Sequence, residues 1–172
     1  MSKDKNQDKD KNKVQNKDQN QGKSIEKMDF ESLKLKNQLC FPLYAVSKEV
    51  TRLYKPFLDP LGITYTQYIT LLVLWENDGL NVKALGERLF LDSGTLTPLL
   101  KKLEAQDIIS RTRNKDNERN VLIHLTEKGW QLRDVAVHVP AQIVSCLQVE
   151  PEEAEALYKI LNKLLERGIE KK

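Results

Sequence analysis

Leu91-Asp92-Ser93-Gly94-Thr95-Leu96-Thr97-Pro98-Leu99-Leu100-Lys101-Lys102-Leu103 is the stretch that decides the fold. Leu96, Leu99, Leu100 and Leu103 recur at the i, i+3, i+4, i+7 spacing of one buried helical face. Asp92 stands where a side chain can cap the first turn, and Leu91 can pack on Leu96 as a hydrophobic staple. The opposite line of the wheel carries Gly94, Pro98, Lys101 and Ala105, flanked by Thr95, Thr97 and Lys102, and no acid occurs from Ser93 to Leu103. Small and hydroxyl side chains let a helix approach the floor of a DNA groove, where they bond phosphates or base edges. An ordinary solvated helix face is the other reading of the same residues.

Working outward, Leu80-Asn81 with Leu85 repeats the staple and cap, opening a short helix with core positions Val82, Leu85 and Leu89. Only a tight turn at Phe90-Leu91 separates it from the leucine-striped helix, which is a helix-turn-helix signal. Upstream, Thr64 and Gln67 form a capping box and Ile63 staples Tyr68, so a helix starts near Tyr65. It should carry Ile69, Leu72 and Val73 inward and end at Asn77-Asp78-Gly79. Downstream of Asp107 the period changes to alternation. Ile109 leads into Arg111 and Arg113, expected to point outward, then a polar turn over 114–118, then Val121, Ile123 and Leu125 on one face, which reads as a β-hairpin. Thr126, stapled by Leu125 and Trp130, starts a helix that Pro140 must kink or interrupt. A last helix begins at Pro151, carries Leu157, Ile160, Leu161, Leu164 and Leu165, and should stop at Gly168. Its apolar stripe, with the segment from Leu39 to Leu58, exceeds what a small winged helix-turn-helix can cover and points to a helical dimer interface. The expected fold class is α/β, mostly α: a winged helix-turn-helix with N- and C-terminal helices forming the interface.

The 172 residues, 40% hydrophobic, suit one globular domain with excess polar chain. Residues 1–24 hold seven Lys and four Asp, with Met1 and Val14 as the apolar side chains, which leaves 21 basic and 21 acidic residues in the remainder. The net +3 therefore belongs to a polar tail, expected to be disordered over 1–28, with the domain at 29–172. That tail offers no apolar core for a secretion signal, and the stretch from Tyr68 to Trp75 falls short of the roughly 18 to 20 residues of a membrane span. The expected location is the cytoplasm. Nucleic-acid binding must come from local clustering, as at Lys101 and Lys102 and at Arg111, Arg113, Lys115 and Arg119. His124 and His138 are isolated and the two cysteines lack metal spacing, so no metal or other cofactor is expected.

The segment from Leu91 to Lys101, together with Glu118-Arg119 and Val121 to Thr126, resembles the multiple-antibiotic-resistance regulator family. More narrowly, it is similar to the organic-hydroperoxide-resistance repressors and their staphylococcal redox-regulator relatives. The resemblance covers about Leu35 to Gly168. It implies a homodimeric winged helix that binds double-stranded DNA at a palindromic operator, with the leucine-striped helix in the major groove and Arg119 at the wing tip in the minor groove. The family places an acid two residues before that arginine, where this chain has Asn117.

Two cysteines remain. Pro42 suits a first helical turn, which puts Cys40 at a helix start, where unpaired amides and the helix dipole favour thiolate and hence oxidation by peroxide. Leu39-Cys40-Phe41 also reads as core, and on the residues alone both readings stay open. The resemblance implies the sensor: Leu39-Cys40-Phe41 with Tyr44 looks like the peroxide-sensing segment, and Tyr54 and Tyr65 match the tyrosines that bond the reactive sulfur across the dimer. Cys146, alone a buried small hydrophobe, matches the region of a resolving cysteine in the two-cysteine branch, with low-molecular-weight thiols as the other partner for an oxidised sulfur. Organic hydroperoxides or other oxidants are thus the implied signal. The alternatives are a phenolic or drug-like ligand in place of oxidation, a protein-interaction winged helix, and a thiol peroxidase, against which stands the absence of a Thr three residues before Cys40.

Overall fold

The computed structural model describes residues 30–114 and 117–169, without the side chains of 113–120 and 169. The expected tail over 1–28 lies outside the described residues, as do the wing-tip side chains, Arg113 and Arg119 among them. Contacts divide the chain into two units, Met1–Pro42 and Leu43–Lys172. In the first, two 3-10 turns, Phe30–Leu33 and Leu35–Asn37, are pinned by Asn37 donating to the Glu31 carbonyl at 2.7 Å. They lead into α1 (Cys40–Leu53), and Pro42 falls in its first turn.

In the second unit, α1 gives way at Tyr54 to α2 (Lys55–Leu58), with Pro56 at the second helical position. The cap then forms as its sequence dictates: α3 (Tyr65–Glu76) starts with Gln67 N donating to Thr64 Oγ1 at 3.4 Å and Thr64 N to Gln67 Oε1 at 2.8 Å. The two-residue strand β1 (Leu80–Asn81) leads into α4 (Val82–Leu89), capped by Asn81, and α5 (Ser93–Ala105) is capped by Asp92, which accepts from Thr95 N at 2.9 Å. Between α4 and α5, Phe90 takes a left-handed φ of 55°, and Gly86 approaches so closely that a Cβ there would lie 2.7 Å from the Leu91 carbonyl oxygen. The wing strands β2 (Ile109–Asn114) and β3 (Asn117–Leu125) pair antiparallel, and β1 adds to the other edge of β3. Thr126 caps α6 (Glu127–Ala136), the helix is interrupted at Val137 and His138, and α7 (Val139–Leu147), with Pro140 in its first turn, and α8 (Pro151–Ile169) follow. The core joins Leu71 and Leu74 of α3, Leu85 of α4, the four leucines of α5 and Ile109 and Ile123 of the wing.

The structure corrects several expectations. α3 buries Tyr68, Leu71 and Leu74, while Leu72 is exposed, because this helix is apolar nearly all round and its sequence does not fix its phase. The hairpin turn is shorter than 114–118, since Asn114 pairs with Asn117 after a register irregularity at Arg113. Arg111 shares a strand face with buried Ile109, as period-two alternation requires, and although exposed as expected it reaches back to bond Glu104 of α5. α8 runs one residue past the expected stop at Gly168, to Ile169, and Gly168 keeps a negative φ. Leu80-Asn81, a staple and cap in the sequence, also forms strand β1 against β3.

Two glycines should respond oppositely to alanine. A Cβ on Gly129 would stand 2.2 Å from the Ile108 carbonyl oxygen, whereas one on Gly168 would meet nothing within 4 Å. Gly129→Ala is expected to destabilise by about 2 kcal/mol or more, and Gly168→Ala to stabilise by up to ~1 kcal/mol. Urea unfolding midpoints check both; equal midpoints would contradict the packing at Gly129.

Candidate functional site

The exposed face of α5 is built by its buried one. With Leu96, Leu99, Leu100 and Leu103 all in the core, Ser93, Gly94, Thr95, Thr97, Pro98, Lys101 and Lys102 are all exposed. Two hydroxyls on this face are held locally: Thr95 Oγ1 donates to Asp92 Oδ2 at 3.0 Å, and Thr97 Oγ1 donates to the Ser93 carbonyl at 2.7 Å. The Thr95 amide, then its hydroxyl, hold the Asp92 carboxyl below its usual range, so the cap stays ionised through mild acid. Pro98 has no N–H to give the Gly94 carbonyl, four residues back, and Gly94 presents no side chain of its own there. The result is a face of low relief with two cations at its C-terminal end.

The wing adjoins this face through side chains. Arg111 donates from Nε to Glu104 Oε2 at 2.8 Å, and its Nη2 bonds the same oxygen. Behind the pair, the turn from α5 into β2 is clamped at successive carbonyls. Lys128 Nζ bonds that of Gln106, and Thr126 Oγ1 bonds those of Asp107 and Ile108.

Cys40, the first residue of α1, is exposed, and so are Leu39 and Phe41, so this segment is not core. Cys146, next to the end of α7, is also exposed and is not the buried small hydrophobe its apolar neighbours imply. The helix is apolar on more faces than the chain itself covers, with Ile143 buried and Val144 exposed. The two expected tyrosines do come together: the rings of Tyr54 and Tyr65 lie 4.8 Å apart. Sequence reasoning missed the third member, Tyr68, 5.7 Å from Tyr54 and 6.4 Å from Trp75. The signal was the three-residue spacing of Tyr65 and Tyr68, which places both on one side of α3. Burial, and for Tyr54 and Tyr68 also neighbouring phenols, push all three hydroxyls above the ordinary value, so each keeps its proton further into alkaline pH than a free tyrosine. Among the described residues no group of three His, Cys, Asp or Glu side chains is arranged to hold a metal, and no helix is long and apolar enough to cross a membrane.

This geometry has close relatives. A family model described as transcriptional regulator SarA/Rot matches residues 52–135. The organic hydroperoxide resistance transcriptional regulator of Bacillus subtilis is 52% identical over 137 residues, covering 80% of this chain and 93% of its own. The chain belongs to the MarR family of transcriptional regulators. A second family member, the HTH-type transcriptional regulator SarZ of Staphylococcus epidermidis, is 41% identical over 144 residues, 84% of this chain and 97% of that one. AbfR from the same species has been solved reduced and bound to DNA, with a TM-score of 0.68, 36% identity and coverage of 83% of this chain and 99% of that one. Its disulfide form matches at a TM-score of 0.55 and 38% identity, over 78% and 95%. These relatives are regulators, not enzymes, and the thiol peroxidase alternative falls away.

The aromatic cluster makes a pH prediction. Because the folded chain binds the phenolic protons of Tyr54, Tyr65 and Tyr68 more tightly than the unfolded chain, stability should fall as pH rises from about 10 through the raised values. Absorbance at 295 nm should accordingly rise at higher pH in the folded protein than in guanidinium. Superimposable titrations would contradict the burial of the cluster.

Proposed function

We propose that this chain is a homodimeric repressor that binds a palindromic DNA operator and releases it when an organic hydroperoxide oxidises Cys40. The observation that carries the reading is the exposed thiol at the first residue of α1 in a chain whose α5 presents a smooth, hydroxyl-rich and basic face. Ser93, Gly94, Thr95, Thr97, Pro98, Lys101 and Lys102 meet the major groove, and Arg113 and Arg119 of the wing meet the adjacent minor groove and its phosphates. A dimer presents two such helices to half-sites about 34 Å apart. Its interface is formed by the apolar faces of α1 and α8, where Tyr44 and Val46 and then Leu157, Ile160, Leu161, Leu164 and Leu165 are all exposed in the single chain.

The chemistry follows from the thiol. The Cys40 thiolate attacks one peroxide oxygen, the O–O bond breaks, and the alcohol leaves with a proton, giving sulfenate. Tyr54 and Tyr65 of the second copy donate hydrogen bonds to this sulfur, so oxidation alters the contacts that hold the two copies in register. A second thiol, Cys146 or a low-molecular-weight thiol, then condenses with the sulfenic acid and releases water. A disulfide form of AbfR supports that step by likeness. The phenolic-ligand alternative has as its support a cleft of about 240 Å³ lined by Lys55, Asp59 and Tyr65 among others.

The test is a gel shift on a duplex that the reduced chain selects from a random-sequence pool. One equivalent of cumene hydroperoxide per Cys40 should release the parent, while Cys40→Ser should bind and ignore the peroxide. Arg119→Ala should weaken binding by roughly tenfold or more, and exposed Lys83→Ala should leave it unchanged. Peroxide release of Cys40→Ser would overturn the sensor assignment.

A further inference from the structure

We propose that Glu104 and Arg111 form a positioning pair that fixes the wing against the recognition helix, so that an acid in the DNA-reading head strengthens DNA binding. The inference rests on the DNA-binding reading above and assigns these two residues a role in it. Glu104 lies in the last turn of α5 and Arg111 is the third residue of β2. The three residues between those elements, Gln106 to Ile108, include Asp107 with a left-handed φ of 58°.

The clamps on this turn are backbone clamps at its base. Lys128 holds the Gln106 carbonyl at 2.7 Å, and Thr126 Oγ1 holds those of Asp107 at 2.7 Å and Ile108 at 3.1 Å. They fix where β2 begins. They do not fix the outer hairpin, whose regular pairing breaks at Arg113 and Asn114. Arg111, paired with Ile123 in the middle of the wing, contributes a side-chain tie from beyond the clamped turn back to α5. The Nε donor holds Glu104 Oε2 at 2.8 Å, which ties strand to helix through charged side chains. The side chains are 31% and 37% exposed, so water screens the pair and its effect on stability is small; what it sets is orientation. Arg111 also holds the Glu104 carboxyl below its usual range, which keeps the tie intact through mild acid.

The competing role for Arg111 is a direct phosphate contact, and the two roles predict opposite signs for Glu104. If Arg111 serves phosphate, Glu104 competes for it and repels DNA, so Glu104→Gln should bind DNA as tightly as the parent or more tightly. If the pair positions the wing, the same substitution weakens binding although it removes a negative charge.

The experiment measures fluorescence anisotropy of the reduced full chain on the selected duplex across a salt series. It compares the parent with Glu104→Gln, Arg111→Gln, the double variant and the charge swap Glu104→Arg with Arg111→Glu, each checked by circular dichroism. Glu104→Gln and Arg111→Gln should each lose roughly tenfold in affinity, with the double variant no weaker than either, as expected of coupled sites. The charge swap should recover binding. The salt slope of the single variants should match the parent, while hydroxyl-radical protection under the wing is lost and that under α5 stays. Undiminished binding by Glu104→Gln, or a salt slope reduced by about one in Arg111→Gln, would overturn the pair in favour of a phosphate contact. A parent that selects no duplex would remove the DNA-binding reading itself, and that failure is distinguishable from failure of the pair.

Discussion

The carbonyl oxygen of Ile108 is the point on which the rest of the structure hangs. It accepts from both Thr126 N and Thr126 Oγ1 at 3.1 Å, and the backbone of Gly129 packs against it so tightly that a side chain there has no room. The same Thr126 hydroxyl receives the Gly129 amide at 3.1 Å as the cap of α6, and the Gly129 carbonyl in turn receives the indole N–H of Trp75 from α3 at 3.0 Å. Four elements therefore meet at one node: the exit of α5, the start of β2, the start of α6 and the C-terminal end of α3. A bulkier residue at 129, or the loss of the hydroxyl at 126, would disturb all four at once, because the interior is close-packed and does not deform gradually.

The division of labour in the molecule follows from that node. Helix-turn-helix and wing are tied into one reading head through the core leucines, the clamped turn and the Glu104–Arg111 pair. The long helices α1 and α8 are different in kind, since no described side chain of either is buried in the single chain. A helix of 19 residues with an unburied apolar stripe gains its stability from a partner surface. In the proposed dimer this surface sets the distance between two rigid heads, and a thiol at the start of α1 lies where oxidation acts on that distance and leaves the reading face chemically untouched. The sensor and the reader are then coupled through geometry, which is the minimum an allosteric account requires.

Much of this was legible in the sequence because it is local. The caps at Thr64, Asn81, Asp92 and Thr126 each involve residues three apart, and all four form with the expected amide. The leucine stripe of α5 gave its buried and open faces correctly because polar residues fill the rest of that helix. α3 offers no such contrast, so its sequence does not reveal that Leu72 faces outward. Cys146 looked buried because its neighbours are apolar, but an apolar neighbourhood also describes a surface awaiting a partner. The Glu104–Arg111 pair was invisible because it depends on strand alternation after a turn, where the basic run of the wing reads as uniformly outward. Tyr68 was recognised as a staple and not as part of the tyrosine cluster, since ring packing against Tyr54 is set by tertiary structure.

In the proposed mechanism the Cys40 sulfur is the origin of the response. The direct measurement is mass spectrometry of the reduced full chain after one equivalent of cumene hydroperoxide with dimedone present to trap sulfenic acid, sampled alongside DNA release. The account predicts a dimedone adduct on Cys40, Cys146 free of it, and adduct formation in step with loss of the DNA complex. An adduct on Cys146 with Cys40 unmodified, or release completed before Cys40 is modified, would contradict it.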